Sequence, residues 1–122
     1  MTDLVRFREL FEAGDYHGAH DALEPRWIRT RSHTLHGLIQ LAVGWHHLSR
    51  GNLHGARVLW TKALAHLEAA WREGAEDGAE DEGVDRTALI AYLRHALEIL
   101  PSGRRLEGKL PEAIQPPAIL LK

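Results

Sequence analysis

Apolar positions recur every three and four residues along most of the chain, and stretches that alternate apolar with polar are missing, so the pattern predicts helices and no strands. The first helix runs from about Asp3 to Ala13, with Leu4, Phe7, Leu10 and Phe11 on one face, Thr2 as N-cap and Gly14 as its stop. The second takes Asp15 as N-cap and runs through Trp27. Pro25 lies inside it, removing one backbone donor and crowding the preceding turn, which predicts a kink. The third, from about Ser32 to Arg50, is the most apolar and ends at Gly51. Asn52 caps a fourth helix whose stripe is Ala56, Leu59 or Trp60, Ala63, Leu67 and Trp71. A fifth covers Arg86 to Leu100 and turns Leu89, Leu93, Ala96 and Leu100 inward.

A short internal repeat organises the first 72 residues. Gly14-Asp15-Tyr16-His17-Gly18-Ala19 and Gly51-Asn52-Leu53-His54-Gly55-Ala56 agree at four of six positions across an offset of 37 residues. Each copy sits at a junction between helices, where the glycine permits the turn and the small Ala19 or Ala56 lets two helices approach. The string resembles the turn of a tetratricopeptide repeat. Two such hairpins are too few for a solenoid, so the expected architecture is all-α: one domain, a small antiparallel bundle of about five helices built on two helical hairpins. Two segments fall outside the periodic pattern. Residues 73 to 85 hold seven acids and no Lys or Arg, and read as a mobile loop. Beyond Pro101, prolines 111, 116 and 117 forbid a continuous helix, so 101–122 reads as an extended tail whose end, Ile119-Leu120-Leu121, docks on the bundle or on a neighbouring subunit.

Composition narrows the chemistry. Cysteine is absent, which removes disulfides and thiolate metal sites and leaves His, Asp, Glu, backbone oxygen and water as ligands. The net charge is −2, but setting the seven acids of the loop aside leaves 15 bases against 10 acids, mildly basic and too scattered for a nucleic-acid stripe. No basic leader and no long apolar run is present, so a soluble cytoplasmic protein without membrane contact is expected. Phosphate loops and nucleophile elbows are missing as well.

The ionisable residues that stand out are His20 and Glu24. Four residues apart on the second helix, they point the same way and are expected to face the core with Tyr16, Leu23 and Trp27. On the third helix His33, His36, Gln40, Val43 and His47 form a polar seam beside an apolar face. If the two helices pack antiparallel, the seam faces His20 and Glu24, and His47 or Gln40 completes a shared cluster, His20, Glu24 and His47 being the set able to hold a divalent metal such as zinc, manganese or iron. Water on such an ion is a nucleophile near neutral pH, with Glu24 and His20 as the catalytic pair. Asp21, Gln40, His36 and Trp27 would support the ligands, and Arg50 with Asn52 offers an anion site or simply a cap at the fourth helix. The rival reading is a hydrogen-bonded polar core that fixes helix register. His17, His54, His66 and His95 read as surface or packing residues without acidic company, and all four tryptophans as core.

Two blocks, Phe11-x-x-Gly14-Asp15-Tyr16-x-x-Ala19-His20-Asp21-x-Leu23-Glu24-x-x-Trp27 and Gly37-Leu38-Ile39-Gln40-Leu41-Ala42-Val43-x-x-x-His47-Leu48-x-Arg50-Gly51-Asn52-x-x-Gly55-Ala56, resemble the signature blocks of the domain of unknown function 309 family over about residues 7 to 71. The resemblance implies a small all-helical protein, sometimes labelled a predicted metal-dependent hydrolase, with motif positions at His20, Glu24, Trp27, Gln40, His47, Gly51 and Asn52. Many relatives have Glu after the first His, where this chain has Asp21. Two function classes remain open: a hydrolase acting on an unknown small substrate, and a tetratricopeptide-like module that binds a protein partner or forms a homodimer.

Overall fold

The computed structural model describes residues 2–73 and 83–119 and contains five helices: α1 (Asp3–Glu12), α2 (Tyr16–Thr30), α3 (His33–Ser49), α4 (Leu53–Glu73) and α5 (Arg86–Ile99). No strand accompanies them among the described residues. The caps follow the sequence. Thr2 Oγ1 accepts from the Val5 N–H at 3.1 Å, Asp15 Oδ1 from Gly18 at 2.9 Å, Asn52 Oδ1 from Gly55 at 2.8 Å, and Asp85 Oδ1 from Ala88 at 3.0 Å. Each satisfies one of the backbone donors that a helix start leaves unpaired. Gly14, at φ 81°, turns the chain between α1 and α2 so that the Asp15 N–H reaches the Leu10 carbonyl.

Each helix packs on its neighbours in sequence, and α3 lies against both α2 and α4. The α3–α4 contact is the closest. A Cβ added at Gly44 would stand 2.3 Å from the Trp60 ring, and one at Gly37 2.7 Å from Leu67, so these two glycines, seven residues apart on one face of α3, let α4 approach. Leu4, Phe7, Phe11, Leu23, Leu35, Leu38, Leu41, Leu48, Leu53, Trp60, Leu67 and Leu93 are buried together, which makes one continuous core.

Two expectations need correction. The second helix does not stop at Trp27: it continues through Pro25 to Thr30 and ends at Arg31, whose left-handed backbone (φ 54°) returns its N–H to the Trp27 carbonyl. Trp71 is not core but 61% exposed, because the helical stripe of α4 outlasts its cover. Trp60 is fully buried, Trp45 nearly so, and Trp27 partly.

After α5 the chain crosses the α3–α4 turn. The Leu106 N–H bonds the Gly51 carbonyl at 2.8 Å, the His54 N–H bonds the Arg104 carbonyl at 3.1 Å, and Arg57 donates to the carbonyls of Pro101 and Gly103. Farther on, the Tyr92 hydroxyl donates to the Gln115 carbonyl while accepting from the Trp45 indole, and Ile114 and Ile119 are buried. The tail therefore docks on its own bundle as far as Ile119. Leu120 and Leu121, and most of the expected acidic loop (74–82), lie outside the described residues.

Candidate functional site

α2 buries Ala19 and Leu23, so residues one position further along the helix emerge about 100° away, at the edge of its contact with α3. His20 and Glu24 occupy that edge. Their side chains meet, Nε2 to Oε2 at 2.8 Å, but they are 29% and 42% exposed, which corrects the expectation of a core-facing, buried pair. His17 and Asp21 form a parallel pair at 3.6 Å, so His17 does have the acidic company it was expected to lack. Each His precedes its acid, the less favourable order for an i,i+4 pair on a helix, and the first turn of α2 holds no acid at all. These pairs consequently add little to helix stability. Donor atoms of His17, His20 and Asp21 all lie within 4.8 Å of one another, and among the described residues this is the set of three that converges closely enough for one ion.

His47 is not in that set. The ring contacts His17–His46 (6.2 Å) and Trp27–His36 (4.4 Å) fix an antiparallel register in which His20 stands level with Val43, and His47 a turn farther on, level with Tyr16. His47 instead closes the α3–α4 turn: its Nδ1 is 3.3 Å from Asn52 Nδ2, and its carbonyl accepts from Arg50 and Asn52. A Cβ at Gly55 would strike both Asn52 and His47 at 2.7 Å, so the glycine of the repeated string is required there. The Arg50 and Asn52 pair is thus a turn and a cap: the Asn52 amide oxygen is committed to Gly55, and the Arg50 N–H to His47.

Gln40 is buried, and its Oε1 has no hydrogen-bond partner among the described residues. Such an acceptor costs about 1–3 kcal/mol unless water or a ligand reaches it. By the same register it lies level with Leu23, beside the seam on which His20 and Glu24 emerge.

His36 and Trp27 belong to a separate cluster at the other end of α3. The rings of Trp27, His36 and His66 stack in series, 4.4 and 4.1 Å between centroids, and the Arg31 guanidinium lies 4.8 Å over Trp27. His33 Nδ1 meets His66 Nδ1 at 2.9 Å. Pattern reading placed His66 at the surface or in packing and gave no weight to His46; only the helix register brings His46 to His17 and His66 to His33 and His36.

Burial and then the cationic neighbours His66, His33, Arg31 and Lys62 pull His36 down from 6.5 to about 4. His66 is lowered by burial and His33, and His46 by burial and then Arg50, His47 and His17. The unfolded chain takes up these protons as pH falls through 6.5 and the folded chain does so later, so stability is complete above 6.5 and falls toward pH 4. For His36 the full shift corresponds to about 3 kcal/mol, and solvent screening at this half-buried site reduces it to about 1–2. Urea denaturation at pH 7 and pH 4.5 is expected to show wild type losing that much more stability than His36→Gln; equal losses would contradict the assignment.

Residues 4–59 match the family described as a domain of unknown function (DUF309), the family that the two sequence blocks resemble. The match includes α1, α2, α3 and the start of α4, and so every residue of the His17–Glu24 patch. No curated protein and no solved structure matches the chain. No described helix is long and apolar enough to cross a membrane.

Proposed function

We propose that the chain binds a divalent transition-metal ion on the exposed edge of α2 and uses it to hydrolyse a small substrate. His17, His20 and Asp21 are the ligands, and the observation that carries the reading is the convergence of their donor atoms within 4.8 Å. Two imidazoles and one carboxylate without thiolate suit zinc, manganese or iron, and three protein ligands leave positions for water. Glu24, 2.8 Å from His20 Nε2, is the carboxylate that metal-binding imidazoles commonly hold on their second nitrogen. It would fix the His20 tautomer and raise the basicity of that ligand.

The expected ligand set changes accordingly: His17 and Asp21 enter as ligands, His47 leaves, and Glu24 moves from ligand to the partner of His20. A groove of about 300 Å³ lined by Arg6, Leu10, Asp15, Gly18, Asp21 and Ala22 adjoins the patch and offers room for a small substrate. Metal analysis of protein purified without an affinity tag, beside His20→Ala, tests the reading. Wild type is expected to retain about one ion per chain more than His20→Ala; equal content in both would end it.

One observation favours a second reading, a protein-interaction module. The exposed Trp71 lines a groove of about 380 Å³ between α4 and α5, with Ile90 at its floor and the Arg94–Glu68 ion pair (2.7 Å) at its rim. Trp71→Ala would then lower the mass of any complex seen in solution without changing metal content.

A further inference from the structure

The cluster at the α3–α4 end has the parts of a second ligand site, independent of the α2 patch. His33 and His66 come from different helices, and their Nδ1 atoms approach to 2.9 Å. On the other side of the His33 ring, Nε2 lies 3.5 Å from Glu73 Oε2. That carboxylate favours the tautomer of His33 that carries its proton on Nε2 and its lone pair on Nδ1. In that tautomer the lone pair points at His66, and without an ion the His66 Nδ1–H would donate to it.

We infer that His33 Nδ1 and His66 Nδ1 form a two-imidazole site for a divalent late first-row transition metal, with Glu73 as the positioning residue that orients His33. Two nitrogens about 2.0–2.1 Å from one ion stand roughly 2.9–3.4 Å apart as the angle between them opens from a right angle to tetrahedral, so the observed hydrogen-bonded spacing of 2.9 Å needs to open by only a few tenths of an ångström for the pair to share an ion. Binding requires a small tilt of the rings and a change of tautomer at His66, whose proton moves from Nδ1 to Nε2; no proton is released overall. The His36 ring stacks on His66 at 4.1 Å and walls the site on the side of Trp27, and water fills the remaining positions. Imidazole ligands select zinc, nickel or copper over the oxygen-seeking magnesium and calcium. An ion here ties the start of α3 to the end of α4, so it acts as a clamp across the hairpin.

Zinc titration of the untagged full chain by calorimetry and thermal denaturation tests this. The His20→Ala variant, which lacks a ligand of the α2 site, is expected to keep one zinc-binding event and a zinc-dependent rise in Tm. Adding Glu73→Gln, a change at an exposed position that leaves the fold intact, is expected to weaken that event about tenfold, and adding His66→Gln to abolish it. Zinc affinity and Tm rise unchanged by both additions, or no zinc response in His20→Ala, would overturn the inference. Identical behaviour of wild type and His20→Ala would sink the α2 reading alone.

Discussion

Replacing Trp60 with alanine is expected to lower the free energy of unfolding by about 3–5 kcal/mol, the range for truncating a large buried aromatic. Trp60 is the largest fully buried side chain; its ring packs against Trp45 at 5.5 Å and Tyr92 at 6.4 Å, and its Nε1 donates to the Leu41 carbonyl at 3.2 Å. Truncation removes the transfer free energy of the indole and leaves a cavity between α3, α4 and α5 that helices pinned by other contacts close only in part. Trp60→Phe, which keeps a ring and loses the hydrogen bond, is expected to cost less than half as much. Chemical denaturation followed by helical circular dichroism measures both. A loss below about 1.5 kcal/mol for the alanine variant would mean that the indole is not the keystone of this interface.

The second large effect comes from the opposite change at the same contact. Gly44→Ala places a methyl group 2.3 Å from Trp60 Cδ1 and Nε1, and the ring is fully buried against Trp45 and Tyr92. Overpacking of this kind costs about 1–3 kcal/mol and sometimes more, while alanine recovers up to about 1 kcal/mol of helix propensity. A net loss of about 2 kcal/mol is expected. The two changes are coupled: in the double variant the added methyl occupies part of the space left by the indole, so the combined loss should fall short of the sum by at least about 1 kcal/mol. Strict additivity, or a stabilised Gly44→Ala protein, would show that α3 and α4 are not held at this distance by the glycine.

Local signals made much of this fold legible in the chain. Thr2, Asp15 and Asn52 were recognisable as caps because capping depends on a side chain and a backbone donor two or three residues away. The apolar stripes of α1 and α5 could be read for the same reason. What failed depended on partners distant in sequence. A helical stripe says which face is apolar but not where its cover ends, so Trp71 was misplaced. Trp27 looked like the end of a helix that Pro25 would kink, yet α2 continues through Pro25 to Thr30.

The candidate site divides along the same line. His20 and Glu24 do meet, because i,i+4 spacing brings them together wherever the helix sits. Their burial could not be read that way: one residue's rotation from Ala19 and Leu23 takes them from the core to its edge. His17-x-x-x-Asp21 carries the same spacing one turn earlier and was available in the sequence as a second copy of the signal. The assignment of His47 needed the α2–α3 register, and the His33–His66 contact, across 33 residues, needed the register of α3 on α4.

The central claim is that His17 and His20 hold an ion together, and the imidazole resonances of the protein report on it directly. In a zinc titration followed by long-range proton–nitrogen correlation, the ring signals of His17 and His20 are predicted to change together within the first two equivalents, with nitrogen shifts of metal-bound imidazole, while those of His54 and His95 stay in place. Rings of His17 and His20 that remain unshifted, or that move no more than those of His54 and His95, would contradict it.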